Sequence, residues 1–383
     1  MKFFTSEMTG APTMNGAAGA MISVLDACLK DGFGLKSVTS LTVADGIATL
    51  NFTGGTAAVA GSTILVSGVT DQTTLNGEKK VLSASSTQVT FATTATNGTA
   101  AGTVTFKMAA LGWTKPFSGT NLAAYRASAP EATGCYLRVD DTAGTTCRVV
   151  GYESMQDINS GSGRFPTDAQ VSGGLYWAKS NSGDTNARTW AVFGDDQFFA
   201  IYTQPSNTAT YGGALFGFGD FLSLKSGDAY GCSLFGSSAS NASANGGFMA
   251  GDLGYSADIG DTTIQGFVPR ASTGIGGAQP IRKHSPYLTT QSGMGNNGNI
   301  VYPNTTDNGL LISRVDLRVG TAFRGKLPGV YHTPQYIWDA LSTFNLVDGT
   351  GEFASKKFMV LRCGTTGSTS GGPTFIDITG PWR

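Results

Sequence analysis

The residues able to carry chemistry in this chain are few, beginning with only two histidines, His284 and His332. A Ser-His-Asp hydrolase needs an imidazole beside a serine raised on a strand-to-helix elbow. The run Gly161-Ser162-Gly163 sits between Asn159-Ser160 and Arg164-Phe165-Pro166, and so reads as a loop. His332 lies between the turn-forming Pro328 and Pro334, which marks it as a structural hydrogen-bonder rather than a base. Glycoside cleavage would instead need two carboxyl groups about 5 to 9.5 Å apart. The adjacent pairs Asp140-Asp141 and Asp195-Asp196 fall in expected hairpin turns, where Asp bonds its own backbone. Successive strand residues also face opposite sides of a sheet, so neither pair is a template for acid and base. Asp252, Asp258, Asp261 and Asp307 are the acids left beside long loops.

Metal and nucleotide signals are thin. Clustered His/Cys spacing for zinc is missing, and so is an Asp-x-Asp-x-Asp-Gly calcium loop, although Gly251-Asp252 and Gly260-Asp261 offer loop carboxylates to a cation. The segment Gly212-Gly213-Ala214-Leu215-Phe216-Gly217-Phe218-Gly219 lacks the Lys-Ser/Thr ending of a phosphate loop and reads as tight β-packing. We therefore assign no catalytic, cofactor-binding or metal-binding residue, expect no cofactor, and do not expect an enzyme. Five cysteines, Cys28, Cys135, Cys147, Cys232 and Cys363, are odd in number and widely spread. They read as reduced thiols; the pair that could meet is Cys135 and Cys147, across a hairpin turning at 141–144.

The elements that must position these groups are β-strands. With 54 glycines, 13% charged and 40% hydrophobic residues in 383, the chain has about twice the usual glycine and half the usual charge. That composition excludes a disordered chain, a collagen and a helical bundle, and leaves a mainly β, turn-rich globular protein. A net charge of −1 argues against nucleic acid, and the Arg282-Lys283-His284 cluster is too short for a binding stripe. No 18-residue apolar run occurs, so membrane insertion is not expected. The start, Met1-Lys2-Phe3-Phe4-Thr5, lacks a secretory h-region, which predicts folding in a cytoplasm.

Three parts follow along the chain. In 1–35, Ala18, Met21, Ile22, Leu25 and Leu29 share a helical face, and Asp31-Gly32-Phe33-Gly34 closes a short helix. From 36 to 110 the composition turns Thr-rich: 17 of the 70 residues between Thr39 and Met108 are Thr and six are charged. Six or seven short strands, punctuated by Asp45-Gly46, Gly54-Gly55, Asn76-Gly77 and Asn97-Gly98, predict a small β-barrel or immunoglobulin-like insert. The rest, 111–383, reads as the main irregular β-sandwich or barrel. Its long polar loops are Gly236 to Gly247 and Ala271 to Asn299. Pro334 to Leu341 predicts a short helical turn. Aromatics at Tyr176-Trp177, Phe198-Phe199, Phe216-Phe218-Phe221 and Tyr331-Tyr336-Trp338 are core by default, with any exposed members suited to sugar stacking or a subunit interface.

Several segments together resemble a family of tailed-bacteriophage virion proteins. They run from Met8-Thr9-Gly10-Ala11-Pro12 and Asp31-Gly32-Phe33-Gly34 through Trp113-Thr114-Lys115-Pro116-Phe117 and Tyr136-Leu137-Arg138-Val139-Asp140-Asp141. Further on come Gly151-Tyr152-Glu153-Ser154-Met155, Gly194-Asp195-Asp196-Gln197-Phe198-Phe199, Phe218-Gly219-Asp220-Phe221, Arg324-Gly325-Lys326-Leu327-Pro328-Gly329 and the closing Asp377-Ile378-Thr379-Gly380-Pro381-Trp382-Arg383. These are turns and strand edges, not a reaction signature. The resemblance implies a structural protein of the tail, baseplate or neck, a symmetric homo-oligomer whose partners are copies of itself and other virion proteins, with the virion as its destination. A receptor- or carbohydrate-binding spike that meets host surface glycan, an enzymatic spike and a capsid decoration protein are the alternatives.

Overall fold

The computed structural model describes residues 1–208, 212–240, 264–284, 302–333, 335, 337, 340–364 and 371–383. Asp252, Asp258, Asp261, Pro334, Tyr336 and Trp338 lie outside them, as do residues 241–247 and 285–299 of the two long polar loops. Among the described residues the protein is mainly β: a large irregular sheet of eighteen strands, a curled eight-stranded sheet, a two-stranded ribbon and one short early helix.

That helix occupies Ala20–Leu25 and widens into a π-helical turn at Asp26–Asp31. The buried face keeps regular helical spacing through both parts. Met21, Leu25 and Leu29 point inward as expected, but Val24 and Cys28 join them, while Ala18 precedes the helix and is exposed. Gly32, at φ 72°, ends the helix in a conformation open to glycine, and a Cβ there would sit 2.2 Å from the Met108 carbonyl oxygen.

Residues 36–108 form the curled sheet. Its strands include Ser40–Ala44, Ile47–Asn51, Thr63–Val69, Gly77–Ala84, Gln88–Ala92 and Gly102–Met108, and alternation is clean, as in the buried, half-buried and exposed sequence of Gln88–Ala92. Asp45 and Gly46, both at positive φ, make the tight turn between the first two of these strands. A short strand at Lys36–Ser37 pairs with the last, Gly102–Met108, with Lys36 opposite Phe106. Leu111 N–H and Trp113 N–H then bond the carbonyls of Cys28 and Leu29 at 2.9 Å, carrying the chain back onto the helix.

In the large sheet the strand Lys2–Thr5 pairs with Thr189–Gly194. A meander of Leu122–Arg126, Tyr136–Asp140, Thr146–Tyr152 and Leu175–Ala178 follows. The strands Phe198–Gln204, Ala214–Asp220 and Cys232–Ser237 are buried at every position, so they are covered on both faces and lack the in-out alternation of the curled sheet. Trp177 stacks on Phe216 at 5.7 Å and meets Phe199 edge-on at 6.1 Å in this core. The described members of the aromatic groups are thus core, with Tyr176 and Tyr331 half-buried. The strands Gln279–His284, Ser313–Val319, Ala322–His332, Gly371–Asp377 and Lys357–Gly364 continue the sheet. A smaller core of Ile337, Phe358, Val360 and Phe375 lies beside them.

Candidate functional site

Three polar constellations stand out against this apolar frame. The first lines an open cleft of about 720 Å³. Asp220 ends a buried strand, and its carboxylate accepts the Thr133 N–H at 2.7 Å and the Thr133 hydroxyl at 2.5 Å. Burial pushes the Asp220 carboxyl up, against the pull of the Thr133 bonds. Beside it, Gln197 donates to Glu131 at 3.1 Å, and the Arg383 guanidinium holds Asp195 at 3.0 Å and the Asp220 carbonyl.

Asp228, on the same cleft, is gripped by both arms of Arg324 at 2.9 and 3.1 Å and by the Ser223 hydroxyl at 2.8 Å. Burial raises its pKa, but these bonds and the Arg324 charge outweigh it and hold the carboxyl below the usual range. Arg324 also donates to the Arg270 carbonyl, and Arg270 forks onto Glu153 at 2.6 and 2.9 Å. The network fixes the loops around the cleft, and each acid in it already has a donor. What the cleft offers a ligand is a rim of polar groups, including the exposed Glu131 and Lys225.

The second constellation is Lys179 against Asp141, both wholly buried. The Asp141 carboxylate also accepts the Met21 N–H at 2.8 Å and the Ile22 N–H at 3.2 Å, in the first turn of the helix. The third lies farther along the sheet. His332 sits opposite Thr374 on paired strands, and Lys283 and Cys363 lie close enough for their charges to act on one another. All four are buried. Among the described residues neither ring nitrogen of His332 has a hydrogen-bond partner. Burial, then the Lys283 charge, push His332 well below its ordinary pKa. Burial brings Lys283 down to about 7 and raises the Cys363 thiol to about 12.

Against the sequence reading, the acids divide. Asp195 bonds its own turn as expected, accepting the Gln197 and Phe198 N–H groups at 2.9 and 2.8 Å. Asp140 accepts the Thr142 N–H at 3.3 Å, and Asp307 the Gly309 N–H at 2.8 Å. Asp141 departs from its turn and reaches into the core instead. His332 is no structural hydrogen-bonder among the described residues. Its strand carries it into the interior, beside Lys283 and Thr374. Cys135 and Cys147 lie at opposite ends of their hairpin, because Tyr136 pairs with Tyr152 and Asp140 with Arg148. Cys135 instead neighbours Cys232, and all five cysteines are free and buried. Gly161-Ser162 forms half of the small ribbon with Ser154-Met155.

Sequence reasoning missed Lys179, Thr133, Arg324 and Lys283. The only signal for the two lysines is a charge at the end of an apolar run, Leu175 to Ala178 in one case and a Lys alternating with Ile281 in the other. Among the described residues, no helix is long and apolar enough to cross a membrane, and no group of three His, Cys, Asp or Glu residues has a metal-binding arrangement. No protein-family model and no curated protein matches the chain.

Proposed function

We propose that this chain is a structural component of a tailed-bacteriophage particle, in the tail, baseplate or neck, and works as a symmetric homo-oligomer. The observation that carries this reading is architectural. A small Thr-rich β-sheet leaves and rejoins a larger β-frame through neighbouring strands, at Lys36 and Phe106, so the frame can present it without being interrupted. The sequence resemblance to virion proteins supports the same reading. Low charge helps too, because many identical copies can then pack closely with little repulsion. Buried acids spent on pinning loops and a helix fit a chain built for rigidity.

Sedimentation of the purified protein, paired with mass spectrometry of particles, tests the proposal. A closed oligomer of fixed copy number and peptides of this chain in the particle are the expected results. A monomer at high concentration, missing from particles, overturns it. The open polar cleft favours one second reading, a carbohydrate-binding role for the same particle component. Binding on a glycan array that Glu131→Ala weakens is its expected result, and the absence of any bound glycan removes it.

A further inference from the structure

Lys179 and Asp141 stand at the ends of two strands that flank Thr146–Tyr152. Both side chains are 0% exposed, and the Lys179 amine lies in direct contact with Asp141 Oδ1. The amine's other partner is the Ala17 carbonyl at 2.7 Å. On the far side of the carboxyl group, Oδ2 accepts two backbone N–H groups, from Met21 and Ile22. An amine held against one oxygen of a carboxyl group, with donors on the other and water kept out, is arranged for amide formation as well as for an ion pair. Burial also favours the neutral acid, pushing Asp141 up despite the opposing pull of Lys179.

We propose that Lys179 and Asp141 condense to an intramolecular isopeptide bond between Nζ and Cγ. The ammonium first passes a proton to Oδ1, leaving a neutral amine and a neutral acid. The nitrogen lone pair attacks Cγ, and Oδ2 takes the negative charge under the Met21 and Ile22 N–H groups. The nitrogen then releases a second proton to Oδ1, the Cγ–Oδ1 bond breaks, and Oδ1 leaves as water. One C–N bond replaces one C–O bond, one water is released, and no oxidant or co-reactant is needed. The link would span 38 residues of chain and give covalent bracing to a protein whose five cysteines are all free. It stands or falls independently of the particle reading.

Intact mass of the purified full chain, measured under denaturing conditions, reads the bond directly. The expected mass is one water below that of the sequence, with a branched peptide joining Asp141 to Lys179 after proteolysis. Lys179→Met is expected to restore the full mass. Asp141→Asn is expected to lose one ammonia in place of one water, because the leaving group changes. A wild-type chain at full mass overturns the proposal, and so does a water loss that maps to an Asp-Gly succinimide such as Asp45-Gly46.

Discussion

Lys179 and Lys283 are both sealed inside the sheet, 0% and 7% exposed, yet their surroundings differ. Lys179 meets a carboxyl group whose other oxygen is bonded by the backbone of the N-terminal helix. Lys283 shares its interior with a histidine, a thiol and a threonine, and its ammonium form is destabilised by burial. The difference lies in how each region handles lost hydration. Around Lys179 the removal of water is offset by the Asp141 carboxyl group, in contact or through the proposed amide, and the link ties three chain segments together. Around Lys283 burial weakens the hold on the proton, bringing its pKa down to about 7.

Breaking the first arrangement has the largest expected effect. Asp141→Ala strands a buried amine and leaves the Met21 and Ile22 N–H groups without their acceptor. Removing one member of a buried pair costs about 3–5 kcal/mol. Chemical denaturation should show that loss together with loosening of residues 17–31, visible as faster amide exchange. A change below about 1 kcal/mol would mean that the pair contributes no more than a surface contact does.

The second arrangement should respond to pH. The folded Lys283 pKa, about 7, lies below the ordinary lysine value, so between the two the unfolded chain binds more protons. Stability therefore rises with pH across that window, by at most about 1.4 kcal/mol per pH unit, and Lys283 adds no further slope below pH 7. Lys283→Met is expected to flatten this rise in denaturation midpoints measured from pH 7 upward. An unchanged slope in the variant would place the titration elsewhere.

How far these two regions were legible in the sequence follows from the physics of each. Period-two alternation exposed the strands of the curled sheet, where one face is wet, and the Asp45-Gly46 turn was readable from its dipeptide. Strands covered on both faces lose that alternation, and in Phe198–Gln204 it is the aromatic pair Phe198-Phe199 that marks the core. Short partners such as Thr114–Gly119 and Leu122–Arg126 carry too little pattern to mark themselves. Asp141 was read as a turn residue because adjacency to Asp140 says nothing of a partner 38 positions away. Lys283 stands in the sequence as one of a short basic cluster, whereas strand geometry sends it inward and leaves Arg282 outside. The contacts that decide each site are long-range, and a single chain of letters holds no trace of them.

The smallest expected effect belongs to His332. Its imidazole is buried, both ring nitrogens lack partners among the described residues, and Lys283 and Thr374 are its polar neighbours. A buried polar group left unbonded costs about 1–3 kcal/mol, and an apolar side chain of similar size recovers part of that while fitting the space less well. His332→Leu should therefore raise stability by about 1 kcal/mol near neutral pH. Its pH profile carries a second signature. The folded pKa lies well below 6.5, so as pH falls below that value the unfolded chain takes up a proton that the folded chain refuses, and stability falls. The variant should lose less stability than the wild type on this acid side. Should His332→Leu instead destabilise the fold, the imidazole must be making a bond that offsets its burial, and the contrast between the two lysine environments would narrow to their charges alone.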